Sequence, residues 1–129
     1  LARLDIPQDM MARMAARVDL DLRDLSAFMP TPRDRGIAVM VYLPFGRSRM
    51  WQRIGDRELP EWASEFDAHT WAQFMLKFTV AHPAVTLAAP GTGDPGHMID
   101  NLGGGKGRMP TKEHLGRMAE LVEDLPPAS

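Results

Sequence analysis

Val80-Ala81-His82-Pro83-Ala84-Val85-Thr86-Leu87-Ala88-Ala89-Pro90-Gly91-Thr92-Gly93-Asp94-Pro95-Gly96-His97-Met98-Ile99-Asp100-Asn101 is the stretch on which the reading of this chain turns. It reads as the end of a helix, a short strand, a Gly-rich turn and a new helix start. Val85 to Ala89 is a small apolar run bounded by Pro83 and Pro90, which predicts a strand of about five residues buried on both faces. Gly91, Gly93 and Gly96, with Pro90 and Pro95, give a turn whose backbone can approach a ligand closely. Asp94 or Thr92 can cap the following helix. Free N–H groups and the helix dipole would then converge on one spot, making an anion site. An ordinary strand–helix connection that binds nothing is the commoner outcome of such a pattern.

Upstream, Gly36 to Leu43 is apolar throughout and is the clearest strand, expected to be covered on both faces as in a parallel sheet under helices. Pro44-Phe45-Gly46-Arg47 follows as a loop, and Arg47, Arg49 and Arg53 fall near the strand's C-terminal end, where parallel α/β folds bind ligands. Three cations there can hold a phosphate or form a solvated basic loop. Residues 56–60 are polar and turn-like. Asp67 or Thr70 then begins a helix to about Ala81, with Trp71, Phe74, Met75 and Phe78 on a core-facing side. Downstream, Met98, Ile99 and Leu102 continue a short helix that Gly103-Gly104-Gly105 ends. Pro110-Thr111 opens a last helix carrying the stripe Leu115, Met118, Leu121, Val122 and Leu125. The order β-α-β-α implies parallel strands with crossover helices, an α/β class.

The first 32 residues read differently. Pro7-Gln8-Asp9 is a helix start, and Met10, Met11, Met14 and Val18 recur at helical spacing. Residues 18–22 alternate strictly, so an edge strand competes with a helix continuing to Phe28. The helix is the reading adopted, and Pro30 and Pro32 end it. Residues 1–32 are thus a mainly helical N-terminal segment, and 33–129 the β-α-β-α unit.

A length of 129 residues predicts one domain, and a net charge of −2 gives no reason to expect a nucleic acid or membrane surface as partner. Without Cys there is no thiolate chemistry, and a cytoplasmic location is the default expectation. No apolar run approaches the roughly 20 residues of a spanning helix. Ten Met residues hint at loose packing or assembly. His69, His82, His97 and His114 are not spaced as a metal motif.

From about Phe28 to Leu125 the chain resembles the C-terminal part of an aldo-keto reductase. Residues 33–39, Arg-Asp-Arg-Gly-Ile-Ala-Val, look like that family's approach to its seventh barrel strand. Tyr42-Leu43-Pro44-Phe45-Gly46-Arg47 looks like the strand end and loop written aromatic-Ser-Pro-Leu-Gly-Arg. Phe74 to Asn101 is similar to the seventh helix, eighth strand and coenzyme loop: His-Pro-Ala-Val, then Pro-Gly-Thr, then an acidic-Asn pair. The family is a (β/α)8 barrel that reduces carbonyls with NADPH. The resemblance implies a partial TIM barrel binding NADP(H). Tyr42 would stack on the nicotinamide, and Pro44, Phe45, Gly46 and Arg47 would pass the pyrophosphate. Gly91 and Thr92 would meet the adenosine 2′-phosphate. His97 falls where an Arg commonly clamps that phosphate, a weaker partner than a guanidinium fork. Asp100 and Asn101 would hydrogen-bond the adenine amine.

The family's catalytic Asp, Tyr, Lys and His find no matching segment, and the only tyrosine, Tyr42, matches the stacking position. A remnant with two strands cannot close a barrel alone and exposes strand edges. The expectation is a homo-oligomer of even number, completed through strand edges and the Met-rich segment. Three functions stay open: a dinucleotide-binding protein with at most weak carbonyl reduction, a hydrolase of esters or lactones using a new His/Asp site, and a non-catalytic scaffold. The sequence nominates no catalytic residue, and no metal is expected.

Overall fold

The computed structural model describes residues 36, 38–83 and 85–128. The readings made for residues 1–32 and for 33–35 lie outside the described residues. In chain order the elements are β1 (Met40–Val41), α1 (Arg49–Ile54), a 3-10 helix (Glu61–Phe66), α2 (Trp71–Val80), β2 (Leu87–Ala88), α3 (Pro95–Gly103) and α4 (Lys112–Glu123). β1 and β2 pair in parallel, Met40 opposite Leu87 and Val41 opposite Ala88. The β-α-β-α order and the parallel pairing therefore stand, as a mixed helical structure around a small two-stranded sheet.

The strands are shorter than the apolar runs at 36–43 and 85–89 suggest. The ladder bonds run from Leu87 N–H to Val39 O and from Ala89 N–H to Val41 O. The Thr86 hydroxyl accepts from Val39 N–H at 2.9 Å, so a side chain takes the place of the next backbone rung. Pro90, which follows Ala89, has no N–H to extend the ladder. The expectation that both faces are covered fails as well. Met40 is 61% exposed and its register partner Leu87 45% exposed, so one face of the pair is open. Parallel sheets are ordinarily buried on both faces.

Helix α2 is the centre of the core. Thr70 caps it by accepting from Gln73 N–H, and Ala81 closes it, as the residue pattern indicates. Phe74 is fully buried between Trp71 (5.3 Å between ring centroids), Trp62 (5.7 Å) and Phe66 (5.9 Å). Met75, Ala63, Ala68, Met118 and Val122 complete this cluster, so the aromatic helix packs on the 3-10 helix and on α4. Thr111 caps α4 in a capping box with His114, whose Nε2 lies 2.9 Å from the Glu65 carboxylate.

Helix α3 follows α2 closely. At Gly104 an added Cβ would sit 2.6 Å from the Leu76 Cβ, so the chain can pass there only without a side chain. Two elements escape the sequence reading. The 3-10 helix at 61–66 falls between the polar turn and the aromatic helix, and α1 turns residues 49–54 from a basic loop into a helix. Ile54, buried at the end of α1, is the apolar signal that marks it.

The turn after α3 is held by a clasp of charges. Asp67 accepts from Arg108 N–H at 2.7 Å and from Arg108 Nη2 at 2.8 Å, and the same guanidinium donates to Ser64 O. These hydrogen bonds hold the Asp67 carboxyl well below the usual carboxylate range. A depressed carboxylate stabilises the fold above its ordinary value, about pH 4, and that contribution is lost as pH falls further. Asp67→Asn should therefore flatten the acid limb of an unfolding-versus-pH curve while leaving the neutral-pH fold. Asn tolerates the left-handed backbone of this residue, φ 54°, so strain does not confuse the result. Identical acid limbs for the two proteins would contradict the clasp.

Candidate functional site

An open cleft of about 660 Å³ lies at the C-terminal end of β1 and β2. The first wall comes from the β1–α1 loop, with Tyr42, Leu43, Pro44, Phe45, Arg47 and Ser48, and from Trp51 of α1. The second comes from the start of α2, with Thr70, Trp71 and Ala72. The third comes from the β2–α3 loop and α3: Pro90, Gly91, Thr92, His97, Asp100 and Asn101. Of the ten residues picked from sequence as coenzyme contacts, nine line this cleft, all but Gly46. They come from two segments about 50 residues apart in sequence, brought together by the parallel pairing. Parallel α/β sheets bind ligands at this end because loops, not strands, enclose the space there.

The first wall is aromatic and strained. Phe45 and Trp51 are in contact at 4.9 Å between ring centroids, tilted by 49°. Gly46, Arg47 and Ser48 all have positive φ, at 55°, 52° and 69°. Gly46 adopts this at no steric cost, whereas the two L-residues each cost about 1–2 kcal/mol. The turn is held by Gly46 N–H to Leu43 O and Arg49 N–H to Gly46 O. It carries the Arg47 side chain to the cleft, where the guanidinium has no partner among the described residues.

The basic cluster does not act as a unit. Arg53, expected beside the strand mouth, turns away and donates to Val122 O at 2.7 Å, Leu125 O at 3.1 Å and Pro126 O at 3.0 Å. The carbonyls at and just beyond the end of α4 have acceptor capacity to spare and carry the negative end of the dipole, so a guanidinium settles there. Arg49 does not line the cleft.

The anion site expected at the start of α3 is filled from within. Asp94 caps the helix, its Oδ1 accepting from Gly96 N–H at 2.7 Å and His97 N–H at 3.2 Å. Pro95 has no N–H to offer, and Met98 N–H already bonds Asp94 O. No N–H of that first turn is left for a bound anion. The same bonds from His97 and Gly96 lower the Asp94 pKa, so the cap is a carboxylate. The Thr92 hydroxyl, in turn, accepts from Asp94 N–H at 3.1 Å.

Asp100 and Asn101 divide the duty the resemblance assigns to both. The Asp100 carboxylate accepts from Thr70 Oγ1 at 2.9 and 3.0 Å and from Gln73 Nε2 at 2.9 Å. It ties α3 to the start of α2, while the residue also lines the cleft. Asn101 lines the cleft with no side-chain partner among the described residues. Thr70 and Trp71 are cleft-lining positions that the sequence reading treats only as a cap and as core. Trp71 Nε1 donates to Arg57 O at 2.9 Å, which fixes its ring at the cleft wall.

The histidines do not gather. His97 alone lines the cleft, while His114 is engaged with Thr111 and Glu65. Among the described residues no group of His, Asp and Glu is placed to hold a metal ion, and no helix is long and apolar enough to cross a membrane. In comparison with family models, curated proteins and solved structures, the chain has no match.

Proposed function

We propose that the cleft binds a nicotinamide dinucleotide and that the two β-α units are the closing part of a (β/α)8 barrel of aldo-keto reductase type. The observation that carries this reading is the meeting of nine sequence-picked residues, from two distant segments, in one cleft at the strands' C-terminal ends. The cleft offers what such a ligand needs. Tyr42, Trp51 and Trp71 present rings for a flat heterocycle, Arg47, without a partner among the described residues, suits a pyrophosphate, and the Asn101 amide suits the edge of an adenine. The resemblance implies NADP(H) as the form bound. Weak carbonyl reduction is the most this chain would supply, since no Tyr–Lys proton donor is matched.

Fluorescence titration tests the reading, because Trp51 and Trp71 sit in the walls. The expected result is saturable binding of at least one reduced dinucleotide at sub-millimolar concentration. Arg47→Ala and Asn101→Ala should each weaken it by about tenfold, the size of one lost hydrogen bond to a charged or buried group. No binding of NADH or NADPH at millimolar levels would sink the proposal.

A second reading, assembly into a homo-oligomer, is favoured by the open sheet face at Met40 and Leu87. Solution size, measured with and without dinucleotide, tests it. A monomer at high micromolar concentration would rule it out.

A further inference from the structure

The charges around the cleft are unevenly shared. Among the described lining residues Arg47 is the only Lys or Arg, and it stands on the β1–α1 side. The β2–α3 side brings the Asp100 carboxylate into the lining, and just behind Thr92 and His97 it holds the ionised Asp94. The helix N–H groups on that side are those at the start of α3. Those of Gly96 and His97 are already taken by Asp94, and the Thr92 hydroxyl, which accepts from Asp94 N–H, has its own O–H left to donate. An incoming phosphate that used these N–H groups would have to displace a carboxylate and then sit beside it, and like charges at close range repel more strongly where water is partly excluded. His97 is exposed.

With the dinucleotide's pyrophosphate at Arg47 and its adenine at Asn101, the adenosine ribose falls on the β2–α3 side. We propose that the cleft takes the dinucleotide without a 2′-phosphate, NAD(H), and that the Asp94 carboxylate is the group that rejects NADP(H). This assignment rests on the dinucleotide reading and reverses the cofactor form that the resemblance implies. The cleft thereby discriminates by a built-in anion at the place where phosphate-binding loops present bare N–H groups.

The test compares NADH with NADPH on the full chain, by titration at pH 7.5 and low salt, where screening is weakest. Unsubstituted protein should bind NADH at least about tenfold more tightly than NADPH, the scale set by one uncompensated charge pair near a protein surface. Asp94→Ser keeps a side-chain cap acceptor for α3 and removes the charge. It should tighten NADPH by about fivefold or more and leave NADH within about twofold. Asp94→Asn, which also caps well, should do the same and guards against a folding defect in the first variant. Equal or tighter binding of NADPH by the unsubstituted protein overturns the assignment while leaving the dinucleotide reading intact. A preference for NADH that survives both substitutions overturns the role of Asp94. Failure to bind either dinucleotide overturns the dinucleotide reading and this assignment with it.

Discussion

Replacing Lys77 with Met is expected to lower the unfolding free energy by about 2–4 kcal/mol and to open the turn at 104–108 to protease, because two carbonyls lose their donor together. Lys77 lies on the core side of α2 and is fully buried, an uncommon place for an ammonium. It donates to Arg108 O at 2.8 Å and to Lys106 O, so the charge is spent on the backbone of the Gly-rich turn that follows α3. Burial pushes its pKa down, and the nearby Asp67 carboxylate partly restores it. Met keeps most of the stem's volume, so the loss reports the ammonium rather than a cavity. Trypsin supplies an independent readout, since Lys106 and Arg108 are themselves its targets. Cleavage there should quicken by at least about tenfold, as expected when local opening becomes cheaper by about 1.4 kcal/mol or more. Unchanged denaturation and unchanged cleavage would show that the turn is held by the Asp67–Arg108 clasp alone.

Phe74→Ala is expected to cost about 3–5 kcal/mol, which is a large fraction of the 5–15 kcal/mol typical of a domain. The ring is fully buried and contacts three other aromatic rings, so truncation leaves a cavity bounded by Trp62, Phe66 and Trp71. Trp71 also forms part of the cleft wall. The variant should therefore weaken dinucleotide binding as well as stability, whereas Phe74→Leu should cost less on both counts. Urea denaturation at constant m-value reads the first effect and titration the second. A loss under about 1 kcal/mol would mean that the core collapses to fill the space.

Several elements are legible in the order of residues alone. Thr70, Asp94 and Thr111 each cap the helix that the residue pattern predicts, because a short polar side chain beside an apolar period is a local signal. The parallel pairing of the two apolar runs is legible too, since a helical connection between strands leaves little alternative. Other features are not. Short helix α1 has too few turns for a periodicity, and the ladder ends where the Thr86 hydroxyl competes for Val39 N–H, a contact across 47 residues. The strained run Gly46-Arg47-Ser48 includes two residue types that do not ordinarily announce positive φ.

The candidate site divides in the same way. The family resemblance nominates Tyr42, Arg47, Gly91, Thr92, His97 and Asn101, and the loops after the two apolar strands are where parallel folds gather ligand contacts. What each polar group has left to offer is decided only by tertiary structure. Arg53 is spent on the end of α4, Asp100 on the start of α2, and the first turn of α3 on Asp94. A sequence declares which donors and acceptors exist. Only the folded chain determines which have already found a partner, because those partners lie many residues away and hydrogen-bonding capacity once used is not free for a ligand.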